Sequence, residues 1–201
     1  MIRVLISGEG ANEIGSGTAG RNSGSGTGVV EELLAKVRVG GFDIRSRVVW
    51  KDVHKLRVHV PGEGEEKTVR GLGLMETEHG CHGLVFLRDR DGEFSRERTI
   101  ERASLAEQKR RPALRIAWGV PVEMLECWLL ALVGEAQSEH AHDPVAALSS
   151  RHNIPPKRTT AMVQLVRSAT LLTAPGDAVS LWRWLRRAAT ALNVRIPKQW
   201  P

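Results

Sequence analysis

The chain has 201 residues, of which 41% are apolar and 26% are charged, and this is enough for one sizeable globular domain with a core. Its net charge of +6 suits an acidic partner such as nucleic acid, although the same charge can also be a solvated basic face. The longest apolar runs fall far short of the roughly 20 residues of a membrane span. Two cysteines without CxxC spacing are too few for a disulfide framework. We therefore expect a soluble cytoplasmic protein that does not contact membranes.

Residues 1–120 alternate short apolar runs with segments of helical character. The predicted strands are 3–7, 43–50, 83–87 and 113–118. The predicted helices between them are 29–39, 67–79 and 96–109. Strands that alternate with helices favour a mostly parallel sheet covered by helices on both faces, so we expect an α/β domain over this range.

A stretch rich in Gly, Ser and Thr, residues 14–28, follows the first strand. It has no apolar periodicity and much backbone freedom, which predicts a mobile loop that contributes little to the core. Successive glycines before a helix can also form a nest of backbone amides for phosphate, but the lysine of a P-loop is missing here. The role of this stretch stays open.

Residues 121–201 carry no strand pattern and are predicted to form a helical extension packed on or beside the α/β domain, with helices at 121–136, 156–172 and 177–193. Asp177 is the expected N-cap of the last helix. On that helix Arg183, Arg186 and Arg187 share the face opposite the apolar residues. They are candidate contacts for nucleic-acid phosphates, and the alternative is an ordinary solvated face.

Acidic residues follow two of the predicted strands. Glu9 comes just after the first, and Asp89 and Asp91 come just after the third. Because Asp89 and Asp91 are spaced by two, an extended segment would point both carboxylates the same way. Because open α/β sheets place ligands at the carboxyl ends of their strands, we expect these side chains to converge there. Several carboxylates so close repel one another unless a cation neutralises them, and oxygen ligands favour Mg²⁺ or Mn²⁺. An Asp-x-Asp before glycine can also be only a polar turn.

Three short motifs in this order resemble the TOPRIM domain, which topoisomerases, bacterial primases and OLD-family nucleases share. They are GEGANE at 8–13, DRDG at 89–92 and ECWLL at 126–130. The match is closest to small bacterial TOPRIM-like proteins of unassigned function related to the OLD-family nucleases, whose pattern begins with EGxTE. This sequence departs from that pattern in having Asn12 where threonine is usual.

The resemblance implies a Rossmann-like TOPRIM fold and a role for each matching acid. Glu9 matches the glutamate that acts as general acid/base or binds metal. Asp89 and Asp91 match the metal-binding pair, and Glu13 matches the second glutamate of the EGxTE pattern. The implied cofactor is Mg²⁺ or Mn²⁺.

Glu126 can also be interpreted without any family. On a helix it projects from an apolar face formed by the flanking valines and leucines, and a buried carboxylate there needs a partner. That partner is either a metal, with Glu126 as a further ligand, or a basic side chain such as Arg88 or Lys157. Lys157, at the start of a predicted helix, could itself stabilise the charge of a phosphoryl transition state, or it could be merely exposed.

The function predicted from these features is metal-dependent hydrolysis of phosphodiesters. The chain has no tyrosine, which topoisomerases need for their covalent DNA link, and it is too short for the further machinery of a primase. A nuclease that acts on DNA or RNA remains, and the OLD-family resemblance suggests bacterial defence together with an ATPase partner supplied in trans.

Two other functions stay open. One is a non-catalytic TOPRIM-like subunit that binds a metal or nucleotide and regulates an ATPase complex. The other is a nucleic-acid-binding module without catalysis, based on residues 106–201, which hold 13 basic and 7 acidic side chains. Self-association into a homo-oligomer is also open.

Overall fold

The computed structural model describes residues 1–15, 26–38, 40–56, 59–156 and 158–201. Four parallel strands form one sheet with the order β2-β1-β3-β4. The strands are β1 Arg3–Gly8, β2 Asp43–Val49, β3 Gly83–Leu87 and β4 Ile116–Gly119. The prediction of an α/β protein with a parallel sheet flanked by helices is confirmed, and the arrangement is consistent with a Rossmann-like fold.

Helices connect and cover the strands. They are α1 Ala11–Ile14, α2 Val29–Val37, α3 Val53–Leu56, α4 Gly64–Glu78, α5 Arg96–Arg110, α6 Glu126–Leu132, α7 Pro144–His152, α8 Thr159–Ser168 and α9 Val179–Ala191. Across the described ranges, no helix combines the length and the apolar character needed to span a bilayer.

The central part of β1, residues 4–6, and the whole of β3 are apolar because both faces of these strands are covered. Val4, Ile6 and Val85 belong to a core with α2, α6, α8 and α9. The alternate residues, such as Leu5 and Phe86, belong to a second core with α4 and α5. The period-two alternation of a strand therefore divides one continuous apolar run between two helical layers.

The order of the strands creates a switch point between β1 and β3. From β1 the chain first moves to β2 on one side, then crosses back to β3 and continues outward to β4. Ser7 and Phe86 are partners in the register of β1 and β3, so these two strands end side by side. In open α/β sheets, the crevice at the carboxyl ends of such strands is where ligands bind.

Residues 121–201 share a core with the sheet. Trp128 of α6 and Trp184 of α9 pack with ring centroids 5.6 Å apart, over a point of β4 where Gly119 leaves no room for a Cβ atom. Trp128 donates its indole N–H to Ser180 at 2.6 Å, in the buried first turn of α9. The helices after β4 thus form one of the two layers that cover the sheet.

Several expectations for this part of the chain are wrong in detail. The helix predicted at 121–136 is reduced to α6, because Glu123 has a φ of 64° and breaks the helix before it. The helix α7 was not predicted, although Asp143 and Pro144 are a cap and first-turn pair, and Asp143 accepts a hydrogen bond from the Ala146 N–H at 2.8 Å.

Asp177 is not the N-cap of α9. Its carboxylate accepts the backbone N–H of Gln137 at 2.9 Å and so joins two loops. Glu139 caps the helix from a distant segment instead, because its carboxylate accepts both the N–H of Ser180 at 2.7 Å and the Ser180 hydroxyl at 2.6 Å. A cap that comes from 41 residues away in the chain leaves no local signal in the sequence.

The glycine-rich stretch lies largely outside the described residues, since 16–25 are among those not described. The predicted mobility of this loop therefore stays a prediction. Its two ends are close together: a Cβ added to Gly15 would overlap the carbonyl oxygen of Gly26, and a Cβ added to Gly28 would overlap the backbone of Gly15.

Candidate functional site

The candidate site begins where β1 and β3 end. Glu9 follows β1 and Asp89 lies two residues beyond β3, and the Asp89 N–H donates to Glu9 Oε1 at 3.2 Å. The parallel pairing of the two strands makes this contact, as the strand-end rule predicts. The carboxylate of Glu9 stays about one third exposed.

Glu13 is brought to the same place by the short helix α1. Its Oε2 accepts the backbone N–H of Glu9 at 2.8 Å. Gly8 permits this approach, because a Cβ there would overlap Glu13 Oε2. The side chain of Glu13 is buried, with 7% exposed. Burial, followed by neighbouring negative charges, of which that of Asp89 is the largest, raises the pKa of Glu13 to about 9.

Asp89 and Glu126, which are both partly buried, complete a group of three acids with the buried Glu13. Burial, and then the charges of Glu126 and Asp91, raises the pKa of Asp89 to about 7. A backbone hydrogen bond from Leu125, just before α6, opposes this shift. Burial also raises the pKa of Glu126, the first residue of α6. The Oδ1 atom of Asp89 is buried and has no hydrogen-bond partner among the described residues.

Asp91 has a different environment from Asp89. The expectation that an extended segment points both carboxylates the same way is wrong, because Asp91 lies in a turn with a φ of 48° and is exposed. Its Oδ2 is 3.6 Å from Arg88 Nη1 and 3.3 Å from Arg96 Nη1. Arg96 also fixes the turn, since its Nη1 donates to the carbonyl oxygens of Asp89 at 2.6 Å and Arg90 at 2.7 Å.

Two arginines and a glutamate surround the carboxylates, and sequence reasoning gave only Arg88 a role. Arg88 forms an ion pair with Glu9 and places its Nε 3.2 Å from Glu65 Oε1. Arg96 Nε lies 3.2 Å from the same Glu65 oxygen. The other oxygen of Glu65, Oε2, accepts the indole N–H of Trp50 at 3.1 Å. Glu65 stands in the first turn of α4, where no motif marks it, so only the packing of that helix beside β3 reveals it.

The cluster therefore has two parts. We call Glu13, Asp89 and Glu126 the uncompensated acids, because burial raises their pKa values and, within the described ranges, none of them forms an ion pair with a basic side chain. Glu9 instead forms an ion pair with Arg88, and Asp91 forms ion pairs with Arg88 and Arg96. Arg88 is therefore not the partner of Glu126, which was one of the two alternatives considered for that residue.

The uncompensated acids fit a divalent cation by chemistry. They offer only oxygen donors, and they include a buried oxygen without a partner among the described residues. Burial raises their pKa values most, and neighbouring negative charges raise those of Glu13 and Asp89 further. Their geometry is not yet that of a coordination group: within the part of the chain that the structure describes, no three Asp, Glu, His or Cys side chains are arranged to hold an ion. Internal bonds explain this arrangement, because the Glu9 N–H holds Glu13 and Arg88 holds Glu9.

The remaining predicted residues lie elsewhere. Lys157 is outside the described residues. The three arginines of α9 lie beside β4 and α5, away from the uncompensated acids: Arg183 pairs with Glu97 of α5, and Arg187 stacks on the ring of Trp118, 3.3 Å from its centroid. Burial lowers the pKa of Arg187 to about 10.

Comparisons with known proteins give no relative. No family model matches the chain, and neither the curated proteins nor the solved structures contain a significant match. Any functional conclusion therefore depends on the residues themselves.

Proposed function

We propose that this chain is a TOPRIM-like, Mg²⁺- or Mn²⁺-dependent phosphodiester hydrolase that acts on DNA or RNA. The observation that supports this most is the group of uncompensated acids at the switch point of the sheet, where Asp89 leaves a buried oxygen without a partner among the described residues. Buried acids with raised pKa values in a crevice are typical of functional sites.

The chain's own residues divide the work between holding charge and orienting the substrate. Asp89, Glu13 and Glu126 would hold the cation. A divalent cation supplies the positive charge that polarises a phosphoryl oxygen and stabilises the leaving oxygen. Glu9, which is more exposed than Glu13, is placed to accept or return a proton at the edge of the cluster.

Arg88 and Arg96 give the site a second source of positive charge. The guanidinium of Arg88 bridges Glu9 and Asp91, and a phosphate oxygen can replace either carboxylate as its acceptor. Arg96 keeps the Asp89 to Asp91 turn in place through backbone carbonyls. OLD-family nucleases, which this sequence resembles, carry an ATPase in the same polypeptide, so the expected partner here is an ATPase subunit supplied in trans, and the expected setting is bacterial defence.

Cleavage assays test this proposal. The purified chain is incubated with plasmid DNA and with RNA in Mn²⁺, in Mg²⁺ and in EDTA, with and without a candidate ATPase. We expect metal-dependent cleavage that falls about 100-fold or more in Asp89→Asn and Glu126→Gln, because metal affinity and activity depend on such ligands. Asp43→Asn is the matched control, since Asp43 is at the opposite end of the sheet, paired with Arg45.

Either of two results would refute the proposal: no cleavage under any of these conditions, or full activity in both site variants. If Asp43→Asn lowered cleavage as much as the two site variants, the loss of activity would point to a general loss of fold.

One observation favours a second candidate function. Because Glu9 and Asp91 already have ion-pair partners in Arg88 and Arg96, this part of the cluster has positive charge beside it without a cation. This suits a non-catalytic subunit that uses the acids to bind a metal or nucleotide and regulates an ATPase. Mn²⁺ binding that changes the ATPase rate of a partner while no nucleic acid is cut would support this function over hydrolysis.

A further inference from the structure

A continuous groove runs along the outer edge of the sheet between α5 and α9. It consists of two adjoining cavities, of about 720 and 420 Å³, which share Glu101, Arg183 and Arg187. Ile116 and Trp118 of the edge strand β4 form its floor. We call this feature the α5–α9 groove. It uses different residues from the acidic cluster.

The groove ends at an exposed aromatic ring. Phe94 lines the smaller cavity and is 81% exposed, the largest exposure of any aromatic side chain in the described chain. The guanidinium of Arg90 lies 4.9 Å from the ring centroid and is itself tied to Glu123. This contact holds one face of the ring on the protein, and exposed aromatic rings of this kind can stack on bases.

The walls of the groove are predominantly positive. Arg98, Arg183, Arg186 and Arg187 line it, against the carboxylates of Glu97 and Glu101. Arg187 is committed to Trp118, where it covers the edge of β4. Within the described part of the chain, Arg98 and Arg186 form no ion pair, and both are exposed.

We propose that the α5–α9 groove binds single-stranded nucleic acid, with a base stacked on Phe94 and phosphates on Arg98, Arg183 and Arg186. A single strand combines unstacked bases with a charged backbone, and proteins bind it with aromatic platforms in basic grooves. A duplex offers no free base face to Phe94. A purely acidic protein partner would satisfy the arginines but would leave the ring without a role.

The position of Phe94 connects the groove to the acidic cluster. The ring lies three residues after Asp91, and Arg90 of the same turn contacts it. A strand held in the groove is thus led toward the uncompensated acids. This connection rests on the proposed hydrolase function, whereas binding in the groove does not depend on it.

Binding is measured by fluorescence anisotropy with a labelled oligothymidylate and with a duplex of equal length, in EDTA and low salt so that no hydrolysis occurs. We expect the single strand to bind more tightly than the duplex. Phe94→Ala is expected to weaken binding by roughly 5- to 150-fold, the range that loss of one base stack gives. Phe94→Trp should restore affinity, and Phe94→Leu should not, because leucine keeps apolar area but has no ring.

The arginines are tested through salt dependence. The double variant Arg183→Gln, Arg186→Gln should lower the slope of log affinity against log salt by about 0.7 for each phosphate that the variant no longer neutralises. Arg151→Gln is the matched control, since Arg151 is also an exposed arginine paired with a glutamate of another segment but lies on α7, outside the groove. It should keep the wild-type slope.

Equal or tighter binding of the duplex would overturn the inference, as would unchanged affinity in Phe94→Ala. So would competition by polyglutamate as strong as competition by unlabelled oligothymidylate. Failure of the groove is distinguishable from failure of the proposed function. Single-strand binding that Phe94→Ala weakens would support the groove even if the chain cleaves no nucleic acid, and cleavage by a chain without single-strand preference would support the hydrolase alone.

Discussion

Replacing Asp89 with asparagine is expected to stabilise the protein in the absence of metal. Burial and neighbouring charges raise the pKa of Asp89 from 3.8 to about 7, so the folded state holds this proton more tightly than the unfolded state. Asp89 therefore contributes its full share to the free energy of unfolding below pH 4, and this contribution is lost as the pH rises to 7. A difference of roughly three pKa units corresponds to about 4 kcal/mol, as an upper bound for a coupled group.

Urea denaturation in EDTA between pH 4 and pH 8 measures this effect. We expect Asp89→Asn to be more stable than wild type at pH 8 and similar to it at pH 4, because asparagine keeps the shape and cannot ionise. The matched control is Asp91→Asn in the same turn. Asp91 faces Arg88 and Arg96, so its loss removes favourable contacts and should give no gain.

Added Mn²⁺ should reduce the difference in stability between the two proteins, and should reverse it where the cation contributes more than the asparagine gain. A cation that binds only the folded state stabilises it by about 2.7 kcal/mol at 100 times its dissociation constant, and only the wild type offers the complete group. The reasoning is refuted if the stability advantage of Asp89→Asn over wild type does not grow between pH 4 and pH 7, or if Asp89→Asn is the less stable protein at pH 8 in EDTA.

Two further predictions concern packing. In a urea titration, Gly119→Ala should lower the free energy of unfolding by about 1–3 kcal/mol, because a Cβ there would overlap the ring of Trp184. The control is Gly176→Ala, which should change the free energy of unfolding little, because the nearest neighbour of the added Cβ would be 3.8 Å away. Replacing residues 16–25 with a short linker should leave the melting temperature almost unchanged, since the flanking residues already lie together, and a large fall would show that the segment is packed.

The sheet was predictable from the sequence because its central strands are buried on both faces. Residues 4–6 and 83–87 form short runs without a polar side chain, and such runs are typical of strands that are buried on both faces. The placement of Glu9 and Asp89 follows from the same runs. Once two parallel strands are adjacent, the residues after them have to meet.

The rest of the site depends on tertiary packing that no local pattern encodes. Glu65 reaches the cluster only because α4 begins beside β3, and Arg96 because α5 begins under the Asp89 turn. The two-residue spacing of Asp89 and Asp91 predicted side chains that point the same way. That prediction is wrong because Asp91 adopts a positive φ in a turn. The same holds for the distant cap that Glu139 provides to α9.

This chain satisfies its buried carboxylates elsewhere, and that makes the uncompensated acids informative. Glu107 is 2% exposed and pairs with Arg111, and Glu139 is 7% exposed and accepts two hydrogen bonds from Ser180. Asp89 instead keeps a buried oxygen without a partner among the described residues while its pKa is raised to about 7. An apolar residue or asparagine would remove that cost if the position served only the fold. An unpartnered acid at the switch point of a parallel sheet is the observation on which our proposal of a cation at this site depends.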